Sequence, residues 1–360
     1  MQPAEPENNF PAVTLFLAPL RIRSLFTNIN FFLLFFTKKL RLSNPWNYKA
    51  PLLMCMPYFV FLLGTGTQEV FVPVAASVFI IIGVAGIGYL TNDLGDRQKD
   101  KLIGKENATA NLGVMSVVFL ILLFLLLAIS PWFFLPMNST SVFLLLLQFI
   151  LFYAYAFPPL RLKERGIWGV LADSGYAHVN PSLLAAYTFY LYTNKTAADF
   201  YLFMGLVGSW QLVSGIRNIL FHQVKDHDKD LQSGTETYVT NIGVKRTEAL
   251  LKNILLPVET ILFVGFAVFI SRSLIFFLPV CSVYWIVTTF RLRKNKTTLS
   301  YSNYTYFYLD ALYLNWLPLI LLAGLVMRSV NFLPVFILHF LIFRTDVKSF
   351  ISSRIIRLRS

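Results

Sequence analysis

The chain has 360 residues, is 56% hydrophobic and only 14% charged, and carries 35 Phe and a formal net charge of +13. So apolar a composition excludes an ordinary soluble domain, whose charged share lies nearer a quarter. The positive balance does not point to nucleic acid, because the basic residues are spread among apolar runs without an RNA- or DNA-binding signature. Anionic lipid headgroups and the positive-inside bias explain the charge better. Cys55 and Cys281 both lie inside apolar runs, lack metal-ligand spacing and read as inert packing residues.

In chain order, residues 1–49 read as a cytoplasmic or interfacial segment. Phe10–Leu20 is apolar but follows Glu5 and Glu7, where a signal peptide would carry positive charge. Phe26–Phe36, followed by Lys38, Lys39 and Arg41, reads as an interfacial helix on the inner leaflet. Apolar runs long enough to span then occur near 50–66, 69–91, 112–133, 140–157, 169–190, 200–221, 248–270, 273–290 and 308–327. A shorter run at 330–343 is open between a short span and an interfacial helix. The expected fold class is therefore an all-α integral membrane protein of nine transmembrane helices with a short tenth in question. Residues 50–327 form the helical domain, and 328–360 hold the extra run and a basic tail.

Loop charges orient these spans. With the N-terminus cytoplasmic, the inner loops collect Arg97, Lys99, Lys101, Lys105, Arg161, Lys163, Arg165, Lys225, Lys229, Lys245 and Arg246, among others. The outer side receives Lys195, Arg272 and Arg328. This is a strong positive-inside pattern, and it predicts a protein of the plasma or inner membrane.

Carboxylates are scarce, at 18 Asp and Glu in the whole chain, yet two clusters stand where long apolar runs end. The first is Asn92-Asp93-x-x-Asp96-Arg97-x-x-Asp100, after the second span; the second is Asp226-x-Asp228-x-Asp230, after the sixth. Spacings of three, four and seven put Asp93, Asp96 and Asp100 along one helical face, with Asp226 and Asp230 a turn apart on another. Asn92 adds a carbonyl oxygen one turn from Asp96. Such oxygen donors suit Mg²⁺, which takes one or two carboxylates and completes its shell with water and phosphate. Two facing clusters would hold metal against one diphosphate and stabilise it as a leaving group. The bland alternative is a solvated loop in which Arg97, Lys99 and Lys101 pair with the aspartates. A calcium-binding EF-hand fails for the second cluster, because the required Gly and Glu are replaced by Leu231 and Thr237. Between the fourth and fifth spans, Pro158 and Pro159 stiffen a loop that projects Arg161 and Lys163 from the same membrane face; these cations either grip a diphosphate or merely set topology.

Together these residues resemble the UbiA superfamily of intramembrane prenyltransferases. Asn92-Asp93-x-x-Asp96-x-x-x-Asp100 is similar to its first signature, and Asp226-x-x-x-Asp230-x-x-x-Gly234 with Thr237 is similar to its second. Tyr155-x-x-Pro158-Pro159-x-Arg161-x-Lys163 is similar to the loop between its fourth and fifth spans. The likeness covers roughly residues 40–327. It implies a nine-helix bundle around a central lipid-accessible cavity, and Mg²⁺-dependent transfer of a polyprenyl group from its diphosphate to a small acceptor. It implies that Asn92, Asp93, Asp96, Asp100, Asp226 and Asp230 handle Mg²⁺, with Asp93, Asp96 and Asp230 catalytic. It further implies that Arg97, Tyr155, Arg161 and Lys163 contact the diphosphate.

The acceptor is not written in the sequence. An aromatic quinone precursor leads, with a sugar phosphate or another non-aromatic as the alternative. Arg41, Asn44, Lys49, Asp173, His178 and Asn180 are polar candidates for recognising it, each more readily structural. A cation carrier using the Asp clusters is the competing class, but it expects charges at the bilayer midplane on broken helices rather than at helix ends.

Overall fold

The computed structural model describes residues 49–64, 69–193, 198–294 and 309–343. The interfacial helix expected at Phe26–Phe36, the candidates Arg41 and Asn44, and the basic tail lie outside the described residues. Every regular element described is helical: α1 (Ala50–Leu63), α2 (Phe71–Leu102), α3 (Val114–Ile129), α4 (Ser139–Ala156), α5 (Ile167–Ser174), α6 (Asn180–Thr193), α7 (Ala198–Gln232), α8 (Tyr238–Ile242), α9 (Val244–Leu250), α10 (Leu256–Ser271), α11 (Phe277–Lys294), α12 (Leu317–Arg328) and α13 (Leu333–Ile342). Single π-helical turns join α5 to α6, α9 to α10 and lead into α12, so several of these pieces are parts of longer rods.

Among the described residues four rods are long and apolar enough to cross a membrane: Phe71–Leu102, Val114–Phe133, Ser139–Ala156 and Val244–Ser271. Their outward faces carry Phe119, Leu122, Leu126, Phe143, Ile150 and Ile261, all well exposed. An aqueous surface does not tolerate apolar faces of this extent, whereas lipid does. α1 has the opposite character. It is buried along nearly its whole length, with Cys55, Met56, Tyr58 and Phe59 fully inaccessible, and packs against α6 and α12 as the central post. Both cysteines are buried and free, as their packing role requires.

The two halves of the bundle are filled differently. In the C-terminal half, aromatic rings close the centre: Phe59 meets Phe266 edge-on at 4.7 Å, and Trp210 lies 5.1 Å from Phe266 and 4.9 Å from Tyr313. Through this core runs a buried ionic triad. Arg217 on α7 gives Nε to Glu259 on α10 at 2.6 Å and Nη2 to Asp310 at 2.7 Å. Such pairs stabilise little by themselves, but removing one partner leaves an uncompensated charge in a dry core. In the N-terminal half, α1, α2, α4 and α6 instead leave an open chamber.

The short run at 330–343 forms a 3₁₀ turn and α13, whose ten residues rise only about 15 Å. It packs into the core through His339 Nδ1, 3.1 Å from Tyr58 Oη on α1. Arg328, just before it, donates to the carbonyl of Leu62 at 2.5 Å.

Candidate active site

α2 and α7 both run past their apolar stretches, to Leu102 and Gln232, and these extensions carry the acidic clusters on continuous helix. The extensions end side by side. Gly95 makes this possible for α2: a Cβ there would sit 2.7 Å from the Ala156 carbonyl oxygen, so α4 approaches only because the side chain is absent. Gly215 does the same for α7, where a Cβ would lie 2.9 Å from Ser174 Cα. The result is a polar cleft of about 180 Å³ lined by Asn92, Asp96 and Asp100 from α2, Tyr155 and Lys163 from the α4 side, and Asp226 and Asp230 from α7. Ser233, Thr235 and Thr237 close one edge.

Not every expected residue reaches the cleft. Asp93 is buried and Arg97 is exposed, and neither is in the wall; Arg97 instead donates to the Ala110 carbonyl at 2.7 Å. Asn92, Asp96 and Asp100 recur every four residues and share a stripe that Arg97, about 100° past Asp96, leaves; Asp93 lies close in rotation to Asp100, but its side chain is buried. Arg161 stands just behind the wall. Its Nη2 is 3.6 Å from Asp96, its Nη1 donates to the Gly95 carbonyl at 3.0 Å, and its Nε donates to Glu164 at 2.6 Å. To do so its backbone takes φ 36°, a left-handed conformation costing roughly 1–2 kcal/mol for a non-glycine residue, which these three contacts offset. Asp228 is also off the wall, with its side chain 92% exposed and 3.1 Å from His227 Nδ1.

The loops over the cleft are tied together. Lys99 donates to Glu164 at 2.8 Å and to the Gly234 carbonyl at 3.4 Å, and Gly166 and Thr237 form an isolated parallel bridge. Burial alone would raise the Glu164 carboxyl, but hydrogen bonds from Lys99 and Arg161 outweigh it and hold the group below its usual range. Thr237 also caps α8: its hydroxyl accepts from the Thr240 amide while Thr240 returns the bond to the Thr237 amide. Sequence reasoning missed Glu164 and Asn107 and did not foresee that Lys99 pairs with Glu164, since no local pattern shows where the loops fold back.

The two clusters are compensated to different degrees. Asp96 is in close contact with the Lys163 ammonium, and Asp100 takes a bond from Asn107 Nδ2 at 2.8 Å and lies 3.4 Å from Lys105. Burial pulls the Lys163 ammonium below its usual value, and Asp96 works against that shift. Asp226 lies 3.8 Å from Lys229. Asp230 is pushed up to about 6, first by burial and then by Asp226. Both clusters also sit at helix C-termini, where the peptide dipoles add negative potential. The cleft thus gathers hard oxygen donors, the carboxylates of Asp96, Asp100, Asp226 and Asp230 among them, beside Lys99, Lys105, Lys163 and Lys229. Among the described residues no three acidic, His or Cys side chains already converge as a metal cage. That donor set fits Mg²⁺, which needs few carboxylates and completes its octahedron with water and phosphate.

Above the cleft, toward the far end of α2, opens an apolar chamber of about 320 Å³. Asn92 and Tyr155 belong to the walls of both spaces. At the end nearest the cleft the chamber carries Lys49, Tyr89, Asp173 and Tyr176; the Tyr176 hydroxyl donates to Asp173 at 2.5 Å. Further in it is lined by Leu53, Ile81, Val84, Phe152 and Leu184. Two acceptor candidates are elsewhere. His178 lies 3.4 Å from Asn218 at the α7 contact, and Asn180 donates to Gln148 at 2.7 Å within the helix packing.

The family model described as "UbiA prenyltransferase family" matches residues 52–311. The chain belongs to the UbiA prenyltransferase family. Among solved structures it is similar to a UbiA homolog from Archaeoglobus fulgidus bound to GPP and Mg²⁺, at 17% identity and a TM-score of 0.53, covering 85% of this chain and 99% of that one. The same homolog bound to DMAPP and Mg²⁺ gives 17% identity and a TM-score of 0.52, covering 80% and 98%. No curated protein matches the sequence significantly. The family model ends at residue 311, just before α12 and α13.

Proposed function

We propose that this UbiA protein transfers a prenyl group from its diphosphate to an acceptor held at the junction of cleft and chamber. The observation that carries this is the shared wall: a charged cleft and an apolar chamber meet at Asn92 and Tyr155. A molecule with an anionic head and a hydrocarbon tail is the ligand that both spaces suit at once.

In this reading Asn92, Asp96, Asp100, Asp226 and Asp230 hold Mg²⁺, and Lys163 with Arg161 behind it engages diphosphate oxygens. Bound Mg²⁺ would neutralise the diphosphate and make it a better leaving group. Asp93 and Arg97 fall outside this ligand set and support the loop at 103–113. The allylic C–O bond breaks, its electron pair leaves with the diphosphate, and an allylic cation remains at the mouth of the chamber. Tyr155, Tyr89 and Tyr176 present ring surfaces that stabilise the cation, and the apolar walls exclude the water that would quench it. The acceptor nucleophile forms the new bond and loses a proton, for which Asp173 is the nearest carboxylate in the chamber wall. Lys49 faces the same space, and no hydrogen-bond or ion-pair partner holds its ammonium among the described residues. An acceptor with an acidic group, such as a hydroxybenzoate-like quinone precursor, suits Lys49 and Asp173 better than a neutral one.

The test is transfer by purified protein in liposomes, with radiolabelled prenyl diphosphate, Mg²⁺ and a panel of aromatic and phosphorylated acceptors. Product that disappears with EDTA supports the reading. Absence of Mg²⁺-dependent product together with cation flux across the liposomes would overturn it in favour of a carrier.

A further inference from the structure

Surroundings that keep water from an allylic cation also keep water from the base that finishes the reaction. Asp173 is that base in the proposed transfer. It is 8% exposed, so its carboxylate has little direct access to solvent for handing on a proton. A route does run through its hydroxyl neighbours. Tyr176, on the π-helical turn Gly175–Val179 that follows α5, donates its hydroxyl to Asp173 at 2.5 Å. Tyr176 also shares a hydrogen bond with Tyr155, and the two rings meet edge-on at 5.0 Å. Tyr155 in turn belongs to the walls of both chamber and cleft. The row is braced from α4: Phe152 meets the Tyr176 ring edge-on at 5.1 Å, and Gln148 Nε2 donates to the Tyr176 carbonyl at 2.7 Å. Asp173, Tyr176 and Tyr155 thus carry hydrogen-bonded oxygens from the chamber to the cleft.

Resting on the proposed transfer of a prenyl group, we infer that Tyr176 and Tyr155 relay the acceptor's proton from Asp173 to the departing diphosphate. At rest Tyr176 donates to the Asp173 carboxylate. When an electron pair of the acceptor forms the bond to the prenyl cation, the acceptor's proton passes to Asp173. The row then reverses. Asp173 gives its proton to the Tyr176 oxygen, Tyr176 gives its own to Tyr155, and Tyr155 gives its own to a diphosphate oxygen. Both tyrosines end neutral, the carboxylate is restored, and the products are the prenylated acceptor and a singly protonated diphosphate. No water enters the chamber, and the diphosphate leaves with one negative charge fewer.

Rapid-quench kinetics of the full chain in liposomes, with Mg²⁺, geranyl diphosphate and the same acceptor panel, separate one turnover from many. Tyr176→Phe keeps the ring but breaks the row, so Asp173 takes one proton and is not reset. Its first turnover should stay within about threefold of the unaltered protein, while steady-state kcat falls roughly a hundredfold. Asp173→Asn should slow both phases. Equal slowing of both phases in Tyr176→Phe would mark a structural role and overturn the relay, as would no change in either. His222 lines the cleft from α7 and is the other proton acceptor within electrostatic reach of Asp173. Loss of later turnovers alone in His222→Gln, with none in Tyr176→Phe, would put the exit there and overturn the relay too. Mg²⁺-dependent binding of geranyl thiolodiphosphate without product from any acceptor would instead sink the transfer reading, and the relay that rests on it.

Discussion

The two acidic clusters share a cleft, a donor chemistry and a helix-end position, yet they are not equivalent. The cluster on α2 is already neutralised: Asp96 by Lys163 and Arg161, Asp100 by Asn107 and Lys105. The cluster on α7 is held more loosely: Asp226 lies 3.8 Å from Lys229, Asp228 lies 3.1 Å from His227, and Asp230 shares a hydrogen bond with Thr237. Under the proposed Mg²⁺ binding the two motifs would act differently: the α2 pair would have to give up cations of the protein's own before it took others, and the α7 pair would give up fewer. Lys163 is well placed for that exchange, because a diphosphate offers it the same kind of oxygen that Asp96 does.

The sharpest way to break this comparison is Asp230→Asn. It should cut Mg²⁺-dependent transfer by roughly a hundred- to a thousandfold, the scale at which removing a charge-stabilising group usually acts. Initial rates in liposomes, with folding checked by gel filtration, measure it; retention of a tenth of the activity would remove Asp230 from the metal set. Asp96→Asn should cost similar activity and also lower stability by about 1–3 kcal/mol, since Lys163 and Arg161 lose their partner. A smaller effect follows for Lys163→Met, with KM for the prenyl diphosphate rising about tenfold and kcat falling less.

The smallest effect separates the clusters by pH. Asp230 titrates at about 6 in the fold against 3.8 when unperturbed. Its ionised form is thus penalised by folding, so stability is lost as pH rises from about 4 to about 6. Discounted for its partial exposure, the loss is on the order of 1 kcal/mol. Melting curves in EDTA at pH 4.5 and 7.5 should show this contribution, and Asp230→Asn should remove it. Added Mg²⁺ with an unreactive diphosphate should reverse the loss at pH 7.5 by mass action.

Much of the site was legible because helical spacing is local. The stripe 92, 96, 100 and the pair 226, 230 follow from one turn per 3.6 residues, and the apolar runs announce the helices that carry them. Spacing brought Asp93 and the resemblance brought Arg97 among the expected site residues, and neither side chain lines the cleft. Lys99–Glu164 and Asn107–Asp100 were not legible, because they depend on where loops fold back. The chamber was hidden too: Phe152 lines an open space and Phe266 fills a closed one, and nothing in either neighbourhood of the sequence distinguishes them. Arg217, Glu259 and Asp310 did leave a signal, each being a charge inside an apolar run, which is costly in lipid and calls for a partner.

That triad bears on how the chain is made. Arg217 is synthesised long before Asp310, and Glu259 follows only 42 positions later. Until α10 and the stretch leading into α12 arrive, α7 carries a cation without the partners that hold it in the folded bundle. The bundle therefore becomes self-sufficient only when its last helices dock. A nascent chain truncated before residue 310 should remain bound to insertion machinery or be cleared, although every residue named in the wall of the polar cleft has already been built.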